Sequence, residues 1–123
     1  ESINLICTHP PYADIIRYSK KIPGDISHLK YEEFLTVLEQ VAREAYRVLK
    51  KQGICAFMIG DIRRAGYVLP LGMNSMQKFV DAGFKLKEIV IKEQHNCKAT
   101  EYWNNIEKTF LMLAHEYIFV LEK

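Results

Sequence analysis

The sequence predicts an α/β domain whose sheet is mostly parallel and ends in one antiparallel strand. Short apolar runs alternate with segments of helical periodicity along the chain, an order typical of parallel strands joined by right-handed crossovers. No helical segment separates the last two apolar runs, so we expect those two strands to pair antiparallel. The length of 123 residues suits one domain, residues 1–123.

The first predicted element is the apolar run Ile3–Thr8, which has the pattern of a strand buried on both faces. A long helix is predicted next, over residues 30–51, and Gly53 is expected to stop it. Glutamates in the first turn and basic side chains in the last turn suit the helix dipole. The apolar positions of this helix recur at helical spacing: Phe34, Leu35, Leu38, Val41, Ala42, Ala45, Val48 and Leu49.

Three strands and one helix complete the predicted order: a strand at 54–59, a helix at 70–82, a strand at 84–93 and a strand at His115–Glu122. Gly60 is expected to end the strand at 54–59, and Gly83 is expected to end the helix at 70–82. The polar stretch 94–108 is too long for a tight hairpin turn. Connections of this length in compact domains are usually functional or mobile.

The composition excludes some classes of protein and leaves others open. Hydrophobic residues make up 49% of the chain and charged residues 26%, which is enough for a core and argues against disorder. The net charge of +2 is too small to require nucleic acid and too small to exclude it. No apolar run approaches the roughly 20 residues of a membrane-spanning helix. Three cysteines are an odd number, so Cys7, Cys55 and Cys97 are expected to be reduced thiols in a cytoplasmic protein.

Two polar loops fall at one edge of the predicted sheet. Residues 9–12, with the letters HPPY, follow the first strand, and Asp61, Arg63 and Arg64 follow the second. In open α/β sheets, ligands bind in the crevice at the carboxyl ends of the strands. The sequence therefore predicts a site built from these two loops.

The stretch Thr8-His9-Pro10-Pro11-Tyr12 resembles the catalytic motif of the amino-methyltransferases, usually written (Asp/Asn/Ser)-Pro-Pro-(Tyr/Phe/Trp). Those enzymes methylate exocyclic amino groups, chiefly adenine N6 and cytosine N4 in DNA, with S-adenosylmethionine as the donor. The order of elements is similar too, from the long helix to the segments "DAGFKLKEIVI" and "HEYIFVLEK". The resemblance covers essentially the whole chain and implies a Rossmann-like methyltransferase sheet.

The resemblance also implies roles for the motif residues. The carbonyl of Pro10 and the side chain of His9 would accept the hydrogens of the target amine, and Tyr12 would stack on a base flipped out of the duplex. Pro11 would stiffen the turn, since proline fixes φ. Thr8, His9 and Pro10 would also line the cofactor.

His9 departs from the family pattern, which usually has an acid, an amide or a hydroxyl at that position. A neutral imidazole accepts a hydrogen bond only in the right tautomer. Histidine at this position therefore does not indicate which base is the target, although Thr8 before it favours cytosine N4 over adenine N6. RNA or protein-amide methylation is an alternative within enzymes. A non-catalytic DNA-binding or assembly module is an alternative outside them.

A second departure concerns the cofactor loop. Methyltransferases of this fold hold the cofactor on a glycine-rich loop, and the six glycines of this chain form no Gly-x-Gly. We therefore expect the carboxy-terminal half of a catalytic domain, with the cofactor half before Glu1 or on another chain. The isolated chain is expected to be inactive and to form a homodimer. By the family's sheet order, its strands would run first, second, fourth, third.

Four residues are candidate DNA contacts: Arg63, Arg64, Lys98 and Trp103. The alternatives are simple. Arginines in loops are often solvated charges, a single tryptophan is often a hydrophobic anchor, and two prolines can merely end a strand. The pairs Cys7-x-His9 and His95-x-Cys97 lack the usual spacing of structural zinc ligands, so we expect no metal.

Overall fold

Four strands form the sheet at the centre of the molecule. A computed structural model describes residues 1–20, 22–95 and 109–123. Its elements follow one another as β1 (Ile3–Thr8), a short 3₁₀ turn (Ile26–His28), α1 (Tyr31–Val48), β2 (Leu49–Ile59), β3 (Ile62–Arg64), β4 (Tyr67–Leu69), α2 (Leu71–Asp81), β5 (Lys85–Glu93) and β6 (His115–Glu122).

The pairing of the strands confirms the predicted topology. β1 runs parallel to β2, whereas β6 runs antiparallel to both β2 and β5. The strands lie across the sheet in the order β1, β2, β6, β5. These are the first, second, fourth and third of the predicted strands, which is the expected arrangement. The carboxyl ends of β1 and β2 therefore lie beside the start of β6, at the same end of the strands.

The core lies between one face of the sheet and the two helices. Along β2, Cys55, Phe57 and Ile59 are buried while the residues between them are partly exposed, which is the period of two expected for a strand with one covered face. The ring of Phe57 stacks on that of Phe79 of α2, with centroids 4.3 Å apart, and also contacts Phe119 of β6. Each such side chain contributes about 1.5–3 kcal/mol on burial.

The boundary between α1 and β2 differs from the prediction. The helix ends at Val48, and β2 begins at the next residue, so Gly53 lies within the strand and does not stop the helix. The reason is that Leu49 is fully buried and pairs with Ile3 in extended conformation. A Cβ at Gly53 would lie 2.8 Å from the carbonyl oxygen of Lys50, so the tight backbone there requires glycine.

The expectation that β1 is buried on both faces was wrong. Leu5 is 57% exposed and Ile3 is 39% exposed. β1 is an edge strand that pairs only with β2 among the described residues. Its apolar run is the same sequence signal that a fully covered strand would give.

A small hairpin of β3 and β4, not predicted from the sequence, follows β2. Its turn is Ala65-Gly66, and both residues have positive φ, +50° and +83°. Two positive φ angles are the signature of the tight hairpin turns that match strand twist. The hairpin places Arg63 and Arg64 on a strand and not in a loop.

The two ends of the chain lie side by side. Lys123 Nζ is 3.0 Å from Glu1 Oε1 and also donates to the carbonyl oxygen of Leu49 at 2.8 Å. The hydrogen bond from Lys123 and the lysine charge lower the pKa of Glu1. Residue 1 lies two positions before β1 and residue 123 follows β6 directly, so both ends leave from the same end of the sheet.

Candidate functional site

The predicted motif lies at the carboxyl end of β1, as expected. Pro10 and Pro11 are buried, and Tyr12 is half-buried. The side chain of His9 is 46% exposed. Because prolines cannot donate to a sheet ladder, they end β1 and turn the chain across the edge of the sheet. The imidazole is therefore accessible from solvent on a rigid turn.

Glu116 of β6 joins the motif to the far side of the sheet, and sequence reasoning did not identify it. Tyr12 donates its hydroxyl hydrogen to Glu116 Oε1, and Lys92 of β5 donates to Oε2 at 2.7 Å. His9 Nε2 lies 3.8 Å from the same Oε1. Glu116 is only 6% exposed. A charged residue inside the apolar run of β6 was the one available signal, because lone carboxylates are rarely buried without partners.

The ionisation of this cluster follows from its contacts. Burial acts to raise the pKa of Glu116, but hydrogen bonds from Lys92, Tyr12 and Gln94 outweigh it and the net shift is downward. Burial and the Glu116 hydrogen bond raise the pKa of Tyr12. The carboxylate is therefore charged at neutral pH and the phenol is its neutral donor.

Tyr12 is held from a second side by Gly60, at the end of β2. A Cβ at Gly60 would lie 3.3 Å from Tyr12 Cε2 and 3.4 Å from Glu116 Cγ. Any larger residue would therefore push against both members of the hydrogen bond. The phenol ring is fixed at its hydroxyl and along one edge, which orients it relative to the motif.

Asp61 holds the scaffold beside the motif. Its Oδ1 accepts from the backbone N–H of Gly72 at 2.8 Å, and its Oδ2 accepts from the Tyr117 hydroxyl at 3.0 Å. A carboxylate that accepts from the first turn of α2 stabilises that end of the helix. A Cβ at Gly72 would lie 2.6 Å from the Tyr117 ring, so this close approach requires glycine. Both oxygens of Asp61 are thus engaged within the chain.

The two arginines of β3 make contacts within the chain. Arg63 donates to the carbonyl oxygens of Gly66 at 2.8 Å and Leu111 at 2.9 Å, and its guanidinium lies 4.1 Å above the Phe110 ring. Arg64 forms an ion pair with Asp14. These contacts fix the hairpin near the motif, and DNA contact by either arginine stays a prediction. Lys98, Trp103 and Cys97 lie outside the described residues.

A polar cluster orders the loop between the motif and α1. Asp25 accepts from the Ser19 hydroxyl at 2.5 Å and from the backbone N–H of Ser27 at 2.9 Å. The Ser27 hydroxyl accepts from the backbone N–H of Tyr18 at 2.9 Å. Hydrogen bonds from Ser19, and then from Ser27, lower the pKa of Asp25 to about 2. The loop that leaves the motif is therefore held by defined contacts.

An apolar groove of about 460 Å³ lies between β1 and α1, next to the motif. Thr8 reaches it from the end of β1, and Gln40 and Glu44 supply its polar rim. Its remaining walls are apolar: Ile6, Val37, Val41, Ala45, Val48, Cys55 and Phe79. The groove lies along β1, whose outer edge has no strand partner among the described residues, and we call the groove and this edge together the β1 side.

The described residues do not form a complete site for S-adenosylmethionine. That molecule offers an ammonium, a carboxylate and ribose hydroxyls, each of which needs a polar partner. The end of β1 offers the Thr8 hydroxyl and the His9 imidazole, while the groove beside them is lined mainly by apolar side chains. Contact between the cofactor and Thr8, His9 or Pro10 stays a prediction.

Within residues 1–20, 22–95 and 109–123, no group of three or more His, Cys, Asp or Glu side chains could hold a metal ion. No helix in the same part of the chain is long and apolar enough to cross a membrane.

Comparison with known proteins gives consistent matches. Residues 3–123 match the profile of a protein family described as DNA methylase. The type II methyltransferase M.MjaVI of Methanocaldococcus jannaschii is 29% identical over 126 residues, which cover 100% of this chain and 63% of that protein. The orphan methyltransferase M.BamHII of Bacillus amyloliquefaciens is 25% identical, over 99% of this chain and 39% of that protein. The chain thus spans less than two thirds of either relative.

Solved structures share the fold. A candidate DNA modification methylase from Thermus thermophilus, in complex with S-adenosyl-L-methionine, has a TM-score of 0.69 at 28% identity. The match covers 99% of this chain and 48% of that one. The PvuII DNA methyltransferase, described as cytosine-N4-specific, has a TM-score of 0.76 at 21% identity over 99% of this chain and 43% of that one. These likenesses confirm the predicted partial Rossmann-like sheet.

Proposed function

Because the chain belongs to the DNA methylase family, we propose that it is the target-binding half of an S-adenosylmethionine-dependent DNA amino-methyltransferase. One observation supports this most directly. The His9-to-Tyr12 turn lies at the carboxyl end of β1, with both of its ring side chains next to the buried carboxylate of Glu116. This is the edge at which α/β sheets bind ligands.

The proposed chemistry follows from the weakness of the nucleophile. The lone pair of an exocyclic amine is delocalised into the base, so the nitrogen attacks poorly while it stays planar. The Pro10 carbonyl and the neutral His9 imidazole accept the two amine hydrogens and favour a tetrahedral nitrogen. The cofactor, when bound, would supply the methyl group of a sulfonium: as the N–C bond forms the C–S bond would break to leave a neutral thioether, and the methylated nitrogen would release one proton to His9 or to water. Positioning of this kind supplies most of the rate when no strong base is needed.

Tyr12 presents its ring to the flipped base in this proposal. Its hydroxyl is already engaged by Glu116, so the ring does not have to be ordered when the base arrives. Stacking of a base on an aromatic side chain contributes about 1–3 kcal/mol. The same hydrogen bond holds the Tyr12 ring against the ring of His9.

The rest of the cofactor site is proposed to come from a segment that this chain does not contain. The chain spans 63% and 39% of its two curated relatives, and it has no Gly-x-Gly sequence. The β1 side offers a matching surface, since an added strand would pair with β1 and cover the groove. Thr8, His9 and Pro10 would then face the cofactor.

Cytosine N4 is the proposed target, in preference to adenine N6. The support is Thr8, which precedes the motif as in the Thr-Ser-Pro-Pro sequence of cytosine N4 enzymes. The likeness to the PvuII enzyme concerns the fold alone at 21% identity and adds no weight to either base.

Analysis of methylated nucleosides tests the whole proposal. The complete protein would be incubated with DNA and labelled S-adenosylmethionine, and the digested DNA separated by chromatography. We expect label in N4-methylcytosine. Label in N6-methyladenine would overturn the choice of base and keep the class of reaction. Label only in RNA or protein, or DNA binding without any transfer, would overturn DNA methylation in favour of the alternatives raised by the sequence.

A further inference from the structure

We propose that Glu116 is a positioning residue that holds the proton of neutral His9 on Nε2 and leaves Nδ1 as the acceptor for the target amine. This inference rests on the proposed function, because that function requires the side chain at position 9 to accept a hydrogen. It adds a residue from the opposite end of the chain to the site. It also names the atom of His9 that does the accepting.

The geometry identifies the nitrogen. His9 Nε2 is 3.8 Å from Glu116 Oε1. This distance is longer than a hydrogen bond, so the carboxylate acts through its charge. A negative oxygen beside Nε2 attracts an N–H dipole there and repels a lone pair. Because a neutral imidazole has one N–H and one lone pair, a proton on Nε2 leaves the lone pair on Nδ1.

The surroundings of Glu116 keep it charged and in place. Lys92 of β5 donates to Oε2 at 2.7 Å, and its ammonium offsets part of the negative charge. Tyr12 donates to Oε1 from the motif itself, and Gln94 donates from the segment after β5. The titratable or charged groups that face Glu116 in the described part of the chain are therefore Lys92, Tyr12 and His9. Lys92 and Tyr12 hold the carboxylate in place while its charge acts on His9.

The need for such a residue follows from the departure at position 9. An aspartate, asparagine or serine at this position presents an acceptor oxygen without any choice of tautomer. A histidine presents an acceptor at only one of its two nitrogens, and the wrong tautomer would direct an N–H toward the amine. A fixed charge beside one nitrogen removes this ambiguity. Glu116 is buried at the site, which suits that purpose.

Nuclear magnetic resonance measures the tautomer directly and does not depend on activity. The full-length protein would be labelled with ¹⁵N histidine, and the signals of His9 assigned with the His9→Ser variant. At a pH where the ring is neutral, we expect the proton on Nε2 in the wild type. In Glu116→Gln we expect a mixture of the two tautomers. Glu122→Gln is the matched control, since Glu122 lies on the same strand and pairs with Lys87, and it should leave His9 unchanged.

Kinetics distinguish positioning from simple support of the fold. We expect Glu116→Gln to lower kcat about tenfold or more and to leave KM for DNA close to that of the wild type. In a His9→Ser background the same substitution should have little effect, because a serine hydroxyl has no tautomers to select. If Glu116 only supported Tyr12, the loss would be equal in both backgrounds. The Tyr12→Phe variant, which removes that hydrogen bond alone, measures the size of that contribution.

The outcomes separate this inference from the proposed function. A proton on Nδ1 in the wild type would overturn the inference, and this result needs no variant to fold. An unchanged tautomer in Glu116→Gln would overturn it as well. If the wild type has the proton on Nε2 but transfers no methyl group to any DNA, the role of Glu116 toward His9 stands and the proposed function fails.

Discussion

The rings of His9 and Tyr12 meet edge to face, with centroids 5.7 Å apart and planes inclined by 70°. Pro10 and Pro11 between them are buried, and the fixed φ of proline limits the freedom of the turn that joins the rings. The two side chains also share one oxygen of Glu116 as a neighbour. The motif therefore acts as one rigid unit, and changes at any of its members should affect the whole.

We expect Pro11→Ala and Tyr12→Ala to reduce methyl transfer in the full-length protein by about 100-fold or more, because small errors of position have effects of that size. Both variants should still fold. Transfer is measured with labelled cofactor and folding by circular dichroism. Tyr67→Ala is the control for the loss of a tyrosine, since Tyr67 is 77% exposed on β4. Near-normal rates for both motif variants would contradict the assignment.

The second expected result concerns pH. Protonation of His9 would remove the lone pair that accepts the amine hydrogen, so methyl transfer should fall as the pH is lowered. His9→Ser should abolish that acid limb and keep part of the activity, because a serine hydroxyl accepts a hydrogen bond without gaining a proton. The pH–rate profiles of the two proteins provide the comparison. If the acid limb is the same in both, His9 is only a residue of the turn.

Self-association is expected for the isolated 123 residues. Leu5 and Ile3 are exposed on β1, whose outer edge is unpaired within the described part of the chain, and Ile6 and Thr8 of the same strand line the apolar groove. Exposed edges of this kind recruit other strands, and a two-fold dimer is the commonest result. Light scattering should detect a species heavier than 14.4 kDa. Leu5→Lys, which places a charge on the edge, should shift the population toward monomer.

The same protein should bind S-adenosylmethionine weakly or not at all, because under the proposed function its described residues supply one wall of the cofactor site. Calorimetric titration should show little heat with the isolated chain. Binding should return when the complementary half, carrying a glycine-rich loop, is added. A monomer that binds the cofactor tightly by itself would show that the site is complete in this chain.

Alanine substitution at two buried serines should change the free energy of unfolding in opposite directions. Ser75 Oγ is fully buried on α2 and has no hydrogen-bond partner among the described residues, whereas Ser27 Oγ accepts from Tyr18. We expect Ser75→Ala to raise the free energy of unfolding by about 1 kcal/mol, and Ser27→Ala to lower it by about 1 kcal/mol. Urea denaturation measures both. Destabilisation by Ser75→Ala would mean that its hydroxyl has a partner.

Acid should loosen the loop between the motif and α1. The folded-state pKa of Asp25 is lowered to about 2, so its contribution to stability is present above the ordinary aspartate pKa of about 3.9 and is lost as the pH falls toward 2. Asp25→Asn should therefore flatten the pH dependence of stability in this range. Thermal unfolding between pH 5 and pH 2 would be compared for both proteins. Identical curves would exclude a role for Asp25.

The sequence was sufficient for the sheet and for the motif because both are local signals. The last strand, His115–Glu122, was predicted with its true bounds, since a short run of aromatic and branched apolar residues marks a strand whatever lies next to it. The burial of β1 was misjudged for a related reason. An apolar run indicates that a strand can pack against apolar neighbours. It does not indicate whether those neighbours belong to the same chain.

The contacts that complete the site could not be predicted because they join residues far apart in sequence. Tyr12 and Glu116 are separated by 104 positions, and only the pairing of β6 between β2 and β5 brings them together. The hairpin of β3 and β4 was missed because its turn uses Ala65 at positive φ, where glycine or asparagine would be the usual signal.

The adjacency of Glu1 and Lys123 has a consequence for how such a domain can be assembled. When two ends lie side by side, a neighbouring segment can be attached at either one and still reach the same surface, and circular permutation is tolerated at such points. A polypeptide entering before Glu1 and one leaving after Lys123 thus start from the same end of the sheet, two strands apart. Under the proposed function, the target-binding half and the cofactor half can therefore be encoded in either order.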